Sequence, residues 1–399
     1  MFLSKEKLLV LYYYIALIAF ALSACAVMFD QESDSGFAQK NVILVLVFLV
    51  WSIFVLRIFV KDYFIEIPSK TVFFFNIYML WVLLITAIIP AQEGGLPTFL
   101  VSLIWSALPF LIFNTTYYFV LHKGDKKELK ITFLVITVLF LLTYYSLYDT
   151  DNILLNVHLG SSYYSLYMLP LVLVYPSKTV RISMIVIICL AVFSSVKRGG
   201  VLALALAMLF YIISNQIVSK QGKFTKIIIG FCMFCAFVSV FAYIGTMGDN
   251  DVFERFENIQ EDNGSGRTEV WAETWHLICN QGAFSFFIGN GFNSVVNNSR
   301  LVLSAHNDYL EAWFDFGLIG FFLYLISVVL LFVDILKCLR AKKEYASAMT
   351  AVGALILVLS MISHIAIYYW FNVVVLCIAY FEGRYDREKR QLVEKEEDL

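Results

Sequence analysis

In the stretch Ser304 to Gly320, SAHNDYLEAWFDFGLIG, a polar loop carrying His306 and Asn307 turns directly into a long apolar run. An imidazole has an unperturbed pKa near neutrality, so a histidine fixed at such a junction takes up or releases a proton within reach of water and lipid head groups. On a helix starting near Asn307, Glu311 and Asp315 follow at four-residue steps and share its face. Two further sites suit the binding of an anion. Lys197 and Arg198 sit in a tight turn, SSVKRGG, between two apolar runs, where the paired glycines let a ligand approach the backbone. Arg267 stands where the glycine-rich NGSG feeds the start of a helix, and a helix N-terminus bearing an arginine suits a phosphate. Arg300, farther along the same polar segment, is a supporting cation. Proton transfer beside a bound phosphate group is the chemistry these residue types permit.

Each of these residues also has a plainer reading. Lys197 and Arg198 snorkel to lipid phosphates, Arg267 caps a helix or lies on a surface, and a lone histidine is ordinarily structural. Ser161, Ser162, Tyr163 and Tyr164 line a sugar path on one reading and are interfacial side chains on the other. What moves His306 forward is its company, two arginines at separate sites on the same side of the membrane.

The elements that must position these groups are membrane helices. Of 399 residues 60% are apolar and 15% charged, and the mean hydropathy is +0.78, which excludes an ordinary soluble domain. The fold class is an all-α polytopic membrane protein. Apolar runs of membrane-crossing length recur near 8–29, 42–60, 71–90, 97–121, 129–148, 162–176, 180–196, 200–219, 226–246, 309–336, 347–363 and 365–381, twelve expected spans. Residues 347–381 read equally as one long tilted helix or a broken pair. With the N-terminus inside, 23 of the 29 lysines and arginines fall on the cytoplasmic side, leaving Lys40, Lys197, Arg198, Arg255, Arg267 and Arg300 outside. An even span count returns the C-terminus to the cytoplasm. The first run, over 8–29, is of full membrane-crossing length and reads as a retained span rather than a signal peptide.

The expected organisation is nine spans over 1–247, an outer loop over 248–305, three spans over 306–383 and a cytoplasmic tail over 384–399. Within the loop, Val270 to Ile278 reads as an interfacial helix with Trp271, Trp275 and Ile278 on one face. Ile288 to Phe292, IGNGF, is a sharp turn, and Asn293 to Arg300 is expected to be polar and mobile. Gly317 and Gly320 let a neighbouring helix come close. Six of the seven cysteines lie in or at the ends of spans and predict neither a disulfide framework nor a zinc site; Cys232-x-x-Cys235 reads as packing.

The S-x-x-R-G turn (Ser195 to Gly199), G-R-T-E-V-W (Gly266 to Trp271), the G-N-G-F turn and H-N-D-Y-L-E with its following F-G-L-I-G together resemble the bacterial O-antigen ligase and polymerase superfamily. The specific motifs cover 194–200 and 264–320. What the resemblance implies is a GT-C-like glycosyltransferase of the bacterial cytoplasmic membrane that needs no metal or other cofactor and takes sugars from undecaprenyl-diphosphate on the outer face. By the same resemblance Arg198 and Arg267 match the diphosphate-binding arginines and His306 the essential histidine, with Lys197, Asn307, Glu311 and Arg300 in support. The implied partners are lipid-linked glycans, the bilayer, a chain-length regulator and a flippase, with no nucleic acid. The compact G-R-T-E-V-W loop points to a polymerase of repeat units; transfer of finished polymer to lipid A-core is the alternative. A flippase is the alternative of another class, and the scarcity of ionisable residues at mid-membrane counts against it.

The orientation makes a direct prediction. Alkaline phosphatase fused within Gly248 to Ala305 should be active, and the same reporter fused after Lys223 should not; the reverse pattern would overturn the topology and the site with it.

Overall fold

The computed structural model describes residues 5–29, 45–53, 69–89, 95–147, 161–195, 197–219, 266–366 and 368–397. Among the described residues the regular structure is helical throughout. In chain order the helices are α1 (Lys5–Phe29), α2 (Lys70–Ile88), α3 (Gly95–Lys123), α4 (Lys127–Leu147), α5 (Ser162–Leu173), α6 (Lys178–Ser194) and α7 (Arg198–Val218). After them come α8 (Arg267–Asn280), α9 (Ala283–Ile288), α10 (Ser294–Asn298), α11 (Asp308–Arg340), α12 (Ala346–Ile362) and α13 (Phe371–Glu397). Among the described residues, six helices are long and apolar enough to cross a membrane: Lys7–Met28, Lys70–Ile88, Thr98–Lys123, Lys127–Leu147, Arg198–Val218 and Asp308–Arg340. The expected span 226–246, much of 42–60, and Cys232-x-x-Cys235 lie outside the described residues. At 12 residues α5 rises only about 18 Å, well short of a full crossing. The stretch 347–381 is a broken pair: α12 ends at Ile362 and α13 begins at Phe371.

The chain divides into two compact units. The first comprises residues 1–73, 103–191 and 369–399. Here α1 packs along α4, α4 along α5, and α5 along α13. Ser161, Ser162, Tyr163 and Tyr164 are buried in this unit, Tyr164 edge-on to Phe140 and Trp370. The helix α13 continues past Gly383, and its charged half is tied down. Arg384 pairs with Asp125 at 2.9 Å, and Asp386 accepts from the Tyr117 hydroxyl at 2.7 Å and the Ser69 amide at 3.1 Å.

The second unit, residues 74–102 and 192–368, holds the chemistry-bearing residues singled out above. Its frame is α7 packed along α12, and α12 along α11; the short helices α8, α9 and α10 pack on α11. The helix α11 is broken at Gly317, whose φ of 72° and ψ of 179° are not helical. A break inside an apolar helix strands carbonyls that water cannot reach, and each must find a donor. The IGNGF turn supplies three. Its Asn290 amide donates to the Phe314 and Asp315 carbonyls at 3.1 Å each, the Gly291 amide to Asp315 at 2.9 Å, and the Asn290 side chain to Phe314 at 2.9 Å. The Trp81 indole N–H satisfies the Phe316 carbonyl at 2.8 Å.

Gly317 closely meets the backbone of the short helix α9, and Gly320 the Trp81 indole of the neighbouring long helix α2. A Cβ on Gly317 would stand 2.2 Å from the Phe287 carbonyl, one on Gly289 2.3 Å from the Asp315 carbonyl, and one on Gly320 3.3 Å from the Trp81 ring. The segment after the turn is also more ordered than the sequence suggested. Asn293 takes a φ of 60°, α10 follows, and its Val295 amide donates to the Asp315 carboxylate at 3.0 Å. Polar residues look mobile in sequence when the buried carboxylate that holds them is distant in the chain.

Gly317→Ala should therefore destabilise the protein by on the order of 3 kcal/mol, combining a left-handed backbone with a steric clash. Gly282→Ala, which meets nothing within 4 Å, is the control. Thermal melting in detergent should separate the two, and equal melting temperatures would contradict the packing described.

Candidate functional site

Three helix starts and one helix end build the site, all within the second unit. Gly266, with φ of 73° and open space around its α-carbon, turns the chain into α8, and Arg267 is the first residue of that helix. Lys197 is the extended residue before α7, and Arg198 is its first helical residue, 7% exposed. The helix α8 buries Val270, Thr274 and Ile278 and leaves Trp275 half exposed. The buried stripe is thus displaced by one residue from the Trp271–Trp275 face expected from hydropathy. Smaller side chains let α8 sit close to α11, while the Trp275 indole packs edge-on to Trp313 at 5.7 Å.

The third element is the start of α11. Asn307 is its cap: the side-chain oxygen accepts from the Tyr309 and Leu310 amides at 3.0 and 3.2 Å, and the side-chain nitrogen donates to the Met361 carbonyl at 3.2 Å. His306 immediately precedes it with a φ of 50°, in the left-handed region that a residue with a Cβ occupies at a cost on the order of 1–3 kcal/mol. Asp308 follows, fully buried. One of its carboxylate oxygens accepts from the Ile365 and Ala366 amides at 2.7 and 3.0 Å, and the other from the Tyr324 hydroxyl at 3.1 Å. Those two amides follow the end of α12, so Asp308 pins the α12 terminus to the α11 start.

That clamp delivers His364 to His306. The two imidazoles are stacked with centroids 4.5 Å apart and planes 21° from parallel. On its other contacts His364 stacks on Tyr368 at 3.8 Å, and its Nδ1 hydrogen-bonds the Ser304 hydroxyl at 3.0 Å. Neither His364 nor Tyr368 was reached by reading the sequence, because each lies far downstream in an unremarkable apolar context.

Burial first, and then the positive charges of Arg267 and Lys197, push the His306 pKa down to about 4. The same two cations, with burial leading, lower that of His364 as well. Both rings are therefore neutral at pH 7, and His306 has a free lone pair for a proton. Of the expected cations, Arg267 and Lys197 are gathered around the histidines. Arg198 adjoins Lys197 at the α7 start. Arg300 is directed to Glu273 on α8 at 3.7 Å, with a mostly exposed side chain, and is not part of this group. Glu311 and Asp315, which follow Asn307 at four-residue steps, are both buried, 1% and 0% exposed. Their positions one and two turns into α11 carry them into the packing of the short helices. Among the described residues no group of three or more His, Cys, Asp or Glu side chains is arranged to hold a metal ion.

Residues 183–325 match the family model described as O-antigen ligase. The match over this segment supports the resemblance to the O-antigen ligase and polymerase superfamily. The O-antigen ligase segment runs from α6 through the Lys197–Arg198 turn, Arg267, His306 and the Gly317 break, and stops before His364. No curated protein matches the chain. The helices and the match fit a multi-pass membrane protein, and the matched family suggests a glycosyl-transferring enzyme.

The electrostatics of the pair can be measured without any assay of activity. In a histidine-selective NMR titration of the full chain, His306 should titrate near its depressed value of about 4. Arg267→Ala, by removing one positive neighbour, should move that midpoint upward toward the ordinary histidine range. An unchanged midpoint would show that Arg267 does not act on the ring.

Proposed function

We propose that this protein polymerises undecaprenyl-diphosphate-linked oligosaccharide repeat units on the outer face of the bacterial cytoplasmic membrane. The observation that carries the reading is the gathering of a neutral, partly buried His306 with Arg267 and Lys197, beside the buried Arg198, at the ends of three helices. A glycosyl diphosphate would bring an anion to these cations, and an acceptor hydroxyl would bring a proton to the imidazole.

In the proposed step the acceptor hydroxyl oxygen attacks the anomeric carbon of the donor sugar. The bond from that carbon to the diphosphate oxygen breaks, and the lipid diphosphate leaves with the electron pair. His306 takes the hydroxyl proton. Arg198 and Arg267 hold the developing negative charge, which a planar, permanently charged fork suits better than an ammonium. In this reading they supply the charge neutralisation for which many glycosyltransferases use a metal. A base held near pKa 4 is weak, and the bound diphosphate corrects this: by neutralising the fields of Arg267 and Lys197 it leaves only burial to depress His306. The base thus strengthens when the donor is in place.

The compact G-R-T-E-V-W loop supports repeat-unit polymerisation, whereas the matching family's own description favours a second reading, transfer of finished polymer to lipid A-core. Purified protein in nanodiscs, given a defined lipid-linked repeat unit with EDTA, separates these. Chain extension supports the first, and product only on added lipid A-core supports the second. His306→Ala should lower turnover roughly a hundredfold or more while donor binding persists, and Arg198→Ala or Arg267→Ala should abolish donor binding. The acid limb of kcat should lie at higher pH than that of kcat/KM, because the first reports the donor-bound enzyme and the second the free one. Full activity of the His306 variant, or wild-type activity lost in EDTA and restored by Mg²⁺, would overturn the mechanism.

A further inference from the structure

We propose that His364 is the positioning residue for His306, the plate against which the proton-accepting imidazole is held during transfer. The inference rests on the functional reading above and adds to it a residue that lies outside the matched segment.

The geometry is that of a support rather than a second base. His364 is 6% exposed and enclosed on three sides: Tyr368 stacks on it at 3.8 Å, Ser304 holds its Nδ1 at 3.0 Å, and Asp308 fixes the next two backbone amides at 2.7 and 3.0 Å. Its position is therefore set from both termini of the loop that bears it. His306, by contrast, stands in a left-handed backbone conformation at the loop tip, partly exposed. The contact that orients its ring is the face of His364 at 4.5 Å. Stacking leaves the edge of an imidazole free, and the edge is where its nitrogens lie. An imidazole held flat in this way keeps its lone pair in one plane, which is what proton removal from an approaching hydroxyl requires. His364 is also neutral, since burial and the neighbouring cations hold it well below the usual histidine range. It therefore acts through its ring face and adds no charge to oppose a proton arriving on His306.

Three variants test this: His364→Ala removes the plate, His364→Phe keeps a flat ring without nitrogens, and His364→Gln keeps a hydrogen-bonding group for Ser304 without a ring. With the defined lipid-linked repeat unit in nanodiscs, His364→Ala should lower kcat by roughly ten- to a hundredfold and leave the donor KM unchanged. His364→Phe should recover most of that loss, and His364→Gln should not. A wild-type kcat for His364→Ala, or an active Gln variant beside an inactive Phe variant, would overturn the proposal. Should the Ala variant fail to fold, the Phe and Gln pair decides alone. A second readout is independent of the reaction. The His306 ring protons, shifted upfield by the stacked neighbour, should remain so in the Phe variant and move downfield in the Ala or Gln variant. If wild-type protein transfers no sugar while this ring-current pattern holds, the functional reading fails and the stack stands. If the shift is the same in all three variants, the positioning role is wrong whatever the reaction.

Discussion

An α-helix that breaks inside an apolar layer strands carbonyls that have no water to turn to, and the second unit is built around satisfying the three at the Gly317 break. The Phe314, Asp315 and Phe316 carbonyls take their donors from Asn290, Gly291 and Trp81. Because an unpaired buried carbonyl costs several kcal/mol in hydrocarbon, the IGNGF turn is held against α11 as firmly as a helix would be. That in turn fixes α9 and α10, and with them the polar segment that leads to His306. Gly289 and Gly317 are there because each lies where the other segment's backbone passes.

A second buried group organises the other end of the same short helical stretch. Asp308 sits at the start of α11, where the helix dipole favours a negative charge, and spends both oxygens on partners distant in the chain. Its effect is to bring the end of α12 to the beginning of α11. His306 then lies between a cap residue bound to α12 through Met361 and a ring carried by the loop after α12. The strained backbone of His306 persists because these surroundings determine it from both sides.

The cations complete the arrangement. Lys197 and Arg267 each stand at a helix N-terminus, where the backbone is already positive, and their fields add to it around His306. Such a concentration of positive potential beside a half-buried neutral imidazole is unfavourable for protonation and favourable for an anion. The two preferences are coupled, since the anion that neutralises the cations restores the basicity of the imidazole.

Read alone, the amino-acid sequence determined the helical membrane class, the helix beginning at Arg267, the sharp turn at Gly289–Gly291 and the loop-to-helix junction at His306, whereas Gly199 and Gly200, expected in a turn, are the second and third residues of α7. Hydropathy, glycine placement and capping chemistry are local, and the chain states them wherever they occur. Only the tertiary structure decided what those features meet. It turned α8 by one residue from its tryptophan face, since close packing on α11 rewards the small Val270 and Thr274 over an indole. It buried Glu311 and Asp315, ordered α10 on the Asp315 carboxylate, and separated Arg300 from the site by pairing it with Glu273. It also brought His364 and Tyr368 to His306, from a stretch whose sequence reads as apolar helix and nothing more. Side-chain contacts between residues far apart in the chain depend on which helix ends meet, and that is settled by buried hydrogen bonds such as those of Asp308, whose partners no local pattern records.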